Sequence, residues 1–132
     1  MPEPARSPFS YAVVRVVPRV ERGECFNAGV VLHCVARDFL GARVALDERR
    51  LAALAPDVAP EAVRPHLAAL VRIAEGDPEA GPMAALPASQ RFGYLVSPAS
   101  TIIQPSSVHT GLCTDPVETL ETLFAALVGP PG

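Results

Sequence analysis

Tyr11-Ala-Val-Val-Arg-Val-Val-Pro18 and, after a polar turn, Asn27-Ala-Gly-Val-Val-Leu-His-Cys34 are the stretches whose reading decides the fold. Both are rich in β-branched valine, which suits a pleated, packed surface. Gly23 lies in the charged turn between them and supplies permissive backbone angles. The pair therefore predicts a β-hairpin, with strands over about Phe9–Arg19 and Phe26–Ala36. A third strand, Phe39–Leu46, follows a short turn. Side chains alternate between the two faces of a strand. Ala12, Val14 and Val16 form a purely apolar set on the first strand, and Ala28, Val30, Leu32 and Cys34 one on the second. Leu40, Ala42, Val44 and Leu46 continue it on the third. The expectation is one shared apolar face, with Gly29 marking a bulge or a close backbone approach.

Helical signals follow. Asp47 is an N-cap candidate before Leu51 and Leu54, and Pro56 ends that short segment. Val63, Leu67, Leu70 and Ala74 recur at helical spacing after Pro60, and Gly76 is placed to end that helix. Met83–Leu86 and Gln90–Val96 suggest helical turns, and Ser100–Gln104 a fourth strand. Residues 105–111 suggest a polar loop or an irregular continuation of it. Asp115 as N-cap, Pro116 at the first helical position and Glu118 two residues later open the last helix, whose predicted buried face is Val117, Leu120, Leu123, Phe124, Leu127 and Val128. The order β-β-β-α-α-β-α predicts an α+β fold: an antiparallel sheet of three to four strands with helices packed on one face. Residues 1–8 read as a disordered Pro-rich tail, 9–129 as a single domain and 130–132 as a second tail.

At 132 residues the chain is long enough for one hydrophobic core. Hydrophobic residues make up 49% and charged residues 19%, a globular balance. No apolar run approaches the roughly 20 residues that span a bilayer, and the first eight residues lack the apolar centre of a signal peptide. The expected location is the cytoplasm, with no membrane partner. The net charge of −3 argues against nucleic acid. All basic residues are Arg, which together with abundant Ala, Pro and Gly reflects a GC-rich genome. Three cysteines, no C-x-x-C and no export signal predict free thiols, with Cys34 in the core and Cys25 in the turn.

Chemistry-bearing residues are sparse. Strand parity places Tyr11, Arg15, Arg19, Asn27, His33 and Arg43 together on the face opposite the apolar set, among Val13, Val17, Val31 and Val35. Arg offers a forked set of donors to anions, but its stem also lies flat over valines with the head in water. A second set, Gln104, Ser106, Ser107, His109, Thr110 and Asp115, precedes the last helix, where Asp115 itself occupies the helix-start donors. Tyr11, Arg15, Asn27, His33, Arg43 and His109 are the candidate binding residues. No catalytic residue is assigned, because Ser107, His109 and Asp115 stand in no nucleophile-elbow context. No metal site is assigned, because the spacing of the His and Cys residues matches no zinc pattern. No nucleotide motif and no cofactor is expected.

Phe9–Pro18, Gly23–Leu32, Gln104–Leu112 and Thr114-Asp-Pro116 together resemble the bacterial domain of unknown function 3037 family, over nearly the whole chain from Phe9 to about Val128. Val-Arg-x-x-Pro followed by Asn-x-Gly-Val-Val-Leu carries the likeness, so Arg15, Asn27 and Gly29 match the family's pattern. The resemblance implies no assigned activity. It implies a partner or regulatory role through genomic proximity to HipA-like kinase genes. The expectation is a non-enzymatic interaction or accessory domain, with a HipA-like kinase as partner or a second subunit bound through the sheet face. The alternative is a small-anion-binding module or an enzyme that uses an Arg/His cluster on that face.

Overall fold

The valine-rich strands meet as the hairpin the sequence predicts. The computed structural model describes residues 5–129. Strands β1 (Ser7–Val16), β2 (Phe26–Cys34) and β3 (Phe39–Val44) are followed by helices α1 (Glu48–Leu54), α2 (Arg64–Glu75) and α3 (Ala88–Leu95). Strands β4 (Ile103–Pro105) and β5 (His109–Cys113) then lead into helix α4 (Pro116–Leu127). The chain is an α+β domain in which four helices pack against a five-stranded antiparallel sheet. β1 begins at Ser7, inside the stretch read as tail; residues 1–4 and 130–132 lie outside the described residues. Among the described residues, no helix is long and apolar enough to cross a membrane.

β1 lies at the centre. β2 pairs with it on one side and β3 extends β2. On the other side β4 runs beside Val14–Val16 and β5 beside Ser7–Tyr11. Ser106 bridges the break between β4 and β5. Its N–H donates to the Val13 carbonyl at 2.8 Å, and its Oγ accepts the Val13 N–H at 2.8 Å. The hydroxyl then donates to the Ser107 carbonyl, so the hydroxyl and N–H of this buried serine are both paired. The fourth strand is thus shorter than predicted, and β5 occupies part of the segment read as a polar loop or irregular continuation.

The register between β1 and β2 contains the decisive irregularity. Val14 pairs with Gly29, yet the next residue, Arg15, pairs with Asn27. Ala28 is the surplus residue of a β-bulge, and a bulge shifts the facing of the strand beyond it. Phe26 and Ala28 pack with Val14, Val16, Leu51, Val63 and Leu67. Beyond the bulge, Val31 joins Ala12, Ala74 and Leu95, while Val30, Leu32 and Cys34 join Phe9, Cys113 and Leu120. The predicted single set Ala28, Val30, Leu32, Cys34 is therefore divided between the faces. For the same reason the helices do not all lie on one face: α2 and α3 cover the side bearing Ala12 and Val14, and α4 covers the other, over Val30 and Leu32. Every β2 residue except Asn27 is buried. Complete burial of Val30, Val31 and Leu32 stabilises the fold by about 1.5–3 kcal/mol each.

The helix ends follow their chemistry. The Asp47 carboxylate accepts the Arg49 and Arg50 N–H groups at 3.1 Å, and Asp115 accepts those of Val117 and Glu118 at 3.0 and 3.3 Å. The helix predicted from Pro60 opens instead with a 3-10 turn over Pro60–Ala62. α2 then starts at Arg64, with Pro65 in its first turn, where a missing N–H costs little. Gly76 ends α2 with φ +73°, a left-handed conformation that glycine adopts freely. Val117, predicted on the buried face of α4, is exposed.

Gly29 sits where the bulge presses β2 against β3. A Cβ there would lie 2.7 Å from Val44 Cγ1 and 2.8 Å from the Arg43 carbonyl oxygen, and the latter cannot rotate away. Gly29→Ala is expected to destabilise the domain by about 2–3 kcal/mol, read as a lower urea midpoint at unchanged slope. A loss below about 0.5 kcal/mol would show that the close approach is relaxed at no cost.

Candidate functional site

The six candidate residues divide into three groups. Tyr11 on β1 and His109 on β5 are cross-strand partners, and their rings stack at a centroid distance of 5.3 Å. The Phe9 ring lies 6.0 Å from that of Tyr11. Arg15 points to the same face, flanked by Asn27 on β2 and Gln104 on β4. Tyr11 and Arg15 are half-buried and His109 is exposed. Among the described residues, neither Arg15 nor His109 has an ion-pair partner. These residues form an open strip along β1, beside α4.

Asn27 and Arg43 border the strip and hold α4 in place. Asn27 Nδ2 donates to the Leu127 carbonyl at 3.0 Å, satisfying an orphan acceptor at the end of the helix. Arg43 Nη1 pairs with Glu121 at 2.9 Å while its guanidinium carbon lies 4.9 Å from the Phe124 ring centroid. Arg19, also placed on this face by parity, is bound by the Asp57 carboxylate. The hydrogen bond and charge of that pair raise the Arg19 pKa and lower that of Asp57.

His33 is elsewhere. The Ala28 bulge turns it to the α2–α3 face, where it is 9% exposed and its ring lies 5.2 Å from that of Phe92. Burial, then the nearby Arg91 charge, pushes its pKa below the ordinary 6.5. Arg91 itself is held by the carbonyls of Leu86 and Ala74, at 2.6 and 3.4 Å. The Arg15/His33/Arg43 cluster expected from parity is therefore not a cluster. One member is stacked on α4, one lies across the sheet, and one is open. Convergent anion donors are not assembled there.

The second expected set is also dispersed. Ser106 is consumed by Val13, Asp115 caps α4, and Gln104 Nε2 donates to the Thr101 carbonyl at 2.9 Å. Cys34 and Cys113 are buried together beneath α4, and Cys25 is exposed. Burial, then a hydrogen bond with Cys34, pushes the Cys113 thiol up, away from the reactive thiolate. Among the described residues, no three His, Cys, Asp or Glu side chains stand together as a metal site.

Sequence reading misses one concavity altogether. A half-open cleft of about 360 Å³ lies between α2, α3 and β4, with Leu70, Ile73, Leu95 and Ile103 in its walls and His66 and Tyr94 among its lining residues. Its walls come from segments far apart in the chain, so no local pattern announces it.

The His33 environment has a pH consequence. A folded pKa below the unfolded one means that the unfolded chain binds more protons in between, so this contribution to stability is present above about pH 6.5 and lost as pH falls through the folded pKa. Urea midpoints are expected to decline from pH 7.5 to pH 5, and His33→Gln to flatten that decline. An undiminished decline in His33→Gln would assign the acid sensitivity to other groups.

Comparison with known proteins adds one relationship. Neither the curated proteins nor the solved structures contain a significant match. The family described as "Protein of unknown function (DUF3037)" matches residues 11–128, from Tyr11 in β1 to Val128 just past α4. That span contains all three parts of the geometry described above: the Asn27–Gly29 bulge, the capped α4 and the Tyr11–His109 pair. Spanning well over half of the sequence, it establishes that the chain belongs to the DUF3037 family.

Proposed function

We propose that this domain is a non-enzymatic interaction module that engages a protein partner through the Tyr11–Arg15–His109 strip. The observation that supports this most is the separation of Arg15, His33 and Arg43. A ligand pocket gathers a few polar groups around a concavity, whereas here the remaining accessible groups line an open strand surface. An aromatic side chain and an arginine are the residue types that dominate binding energy at protein interfaces. Tyr11 packs against the Phe9 and His109 rings, so little side-chain freedom is lost when it is covered. Arg15, which has no ion-pair partner among the described residues, favours a partner with a carboxylate opposite it. A HipA-like kinase, the partner implied by the family's genomic neighbourhood, is the first protein to test.

The test is capture from native cell extract on immobilised protein, followed by binding measurements with the purified captured partner. Wild type is expected to retain a defined protein, and Arg15→Glu, folded by circular dichroism, to bind it at least about 10-fold more weakly, as reversal of a charge at an interface implies. Equal binding by Arg15→Glu would remove the strip from the interface, and failure to retain any protein reproducibly would contradict the interaction reading.

A further inference from the structure

We propose that β5 is a self-pairing edge: two copies of this chain join β5 to β5, antiparallel, about a two-fold axis at Thr110. Among the described residues, β5 pairs with β1 alone and so forms an edge of the sheet.

The backbone alternation sets which groups face outward. Val13 directs both its N–H and its carbonyl to Ser106, and the Val17 N–H goes to the Ile102 carbonyl at 2.7 Å. The odd-numbered residues of β1 therefore face the β4–β5 side. Their partners on β5 are His109 opposite Tyr11, Gly111 opposite Phe9 and Cys113 opposite Ser7. In an antiparallel ladder, bonded and non-bonded pairs alternate. Thr110 and Leu112 thus turn their N–H and carbonyl groups away from β1, toward the open edge.

That edge lacks the usual protection. Exposed strands are ordinarily blunted by charge, proline or a bulge. Pro105 and the Ser106 break interrupt only the upstream part, and Val108-His-Thr-Gly-Leu-Cys113 contains no Asp, Glu, Lys or Arg. The opposite edge, β3, carries Arg43 and follows Asp38. Val108 is 44% and Leu112 58% exposed, among the few large apolar side chains that are.

The sequence of the edge is complementary to itself. With Thr110 opposite Thr110 of the second copy, Val108 faces Leu112 and Leu112 faces Val108. His109 meets Gly111, over which the Phe9 ring of its own chain lies. The two-fold register thus contains a Thr–Thr pair and two aliphatic pairs, which are favourable cross-strand combinations, and no like charges. A foreign strand would gain the same backbone bonds without this repeated matching, so a second copy is the occupant the edge fits.

Sedimentation velocity of the full chain tests this. The contact is small, so the expected dissociation constant lies between about 10 µM and about 1 mM. The average mass of wild type is expected to rise toward that of a dimer over this range. Val108→Lys/Leu112→Lys places Lys opposite Lys twice and is expected to remain monomeric throughout. Val108→Glu/Leu112→Lys places Glu opposite Lys twice and is expected to restore the dimer, now weakened by salt. Both changed positions are exposed, and circular dichroism verifies that each variant is folded. A wild type that stays monomeric overturns the proposal, as does a dimer that survives Val108→Lys/Leu112→Lys. Failure of the Glu/Lys variant to dimerise overturns the Thr110 register. A monomeric wild type whose edge instead captures a foreign strand likewise overturns self-pairing.

Discussion

One surplus residue, Ala28, sets the arrangement of everything packed on the sheet. Because Val14 pairs with Gly29 and Arg15 with Asn27, the side chains of β2 change face at this point. Upstream, Phe26 and Ala28 serve the core under α1 and α2. Downstream, Val30, Leu32 and Cys34 serve the core under α4, while Val31 and His33 serve α3. Antiparallel sheets commonly leave one face to water. Here the middle of the sheet is buried on both faces, which is why β2 reads as a nearly continuous apolar run. The bulge also requires Gly29, since any side chain there would meet the β3 backbone.

The same feature explains two of the three positions expected from the sequence to match the family's pattern. Asn27, immediately before the surplus residue, faces α4 and donates to its Leu127 carbonyl, and Gly29, immediately after it, admits β3. Both are architectural. Arg15 is different. It lies across from Asn27 on the α4 face, yet among the described residues it forms no ion pair. Its charge therefore remains available, on the face that also carries the Tyr11–His109 ring pair.

Much of the fold is legible from local chemistry. Valine content marks β1 and β2, and carboxylate caps at Asp47 and Asp115 mark the starts of α1 and α4. Gly76 marks the end of α2. These features depend on neighbours a few residues away, which a sequence displays directly. The candidate site was less legible. Strict alternation through β2 places His33 beside Arg15, and one unpaired alanine moves it to the other face. Gly29 signals a bulge or a close approach in the sequence, but not which residue will be the surplus one. Ser106 is similar: a serine in a polar run gives no hint that its hydroxyl completes a strand pairing with Val13, ninety-three positions earlier. The cleft beside Tyr94 has walls from α2, α3 and β4 with Val14 of β1, and leaves no local trace at all.

The division of β2 between two cores decides where Asn27, His33 and Arg43 lie relative to Arg15. Methyl-resolved nuclear Overhauser spectroscopy on the full chain tests it most directly. A bulge at Ala28 predicts that the Val30 methyls contact Leu120 of α4, whereas those of Val31 contact Ala74 and Leu95 on the opposite face. Contacts of Val30 with Ala74 or Leu95, and of Val31 with Leu120, would mean that β2 alternates without interruption, and would return His33 to the face that carries Arg15.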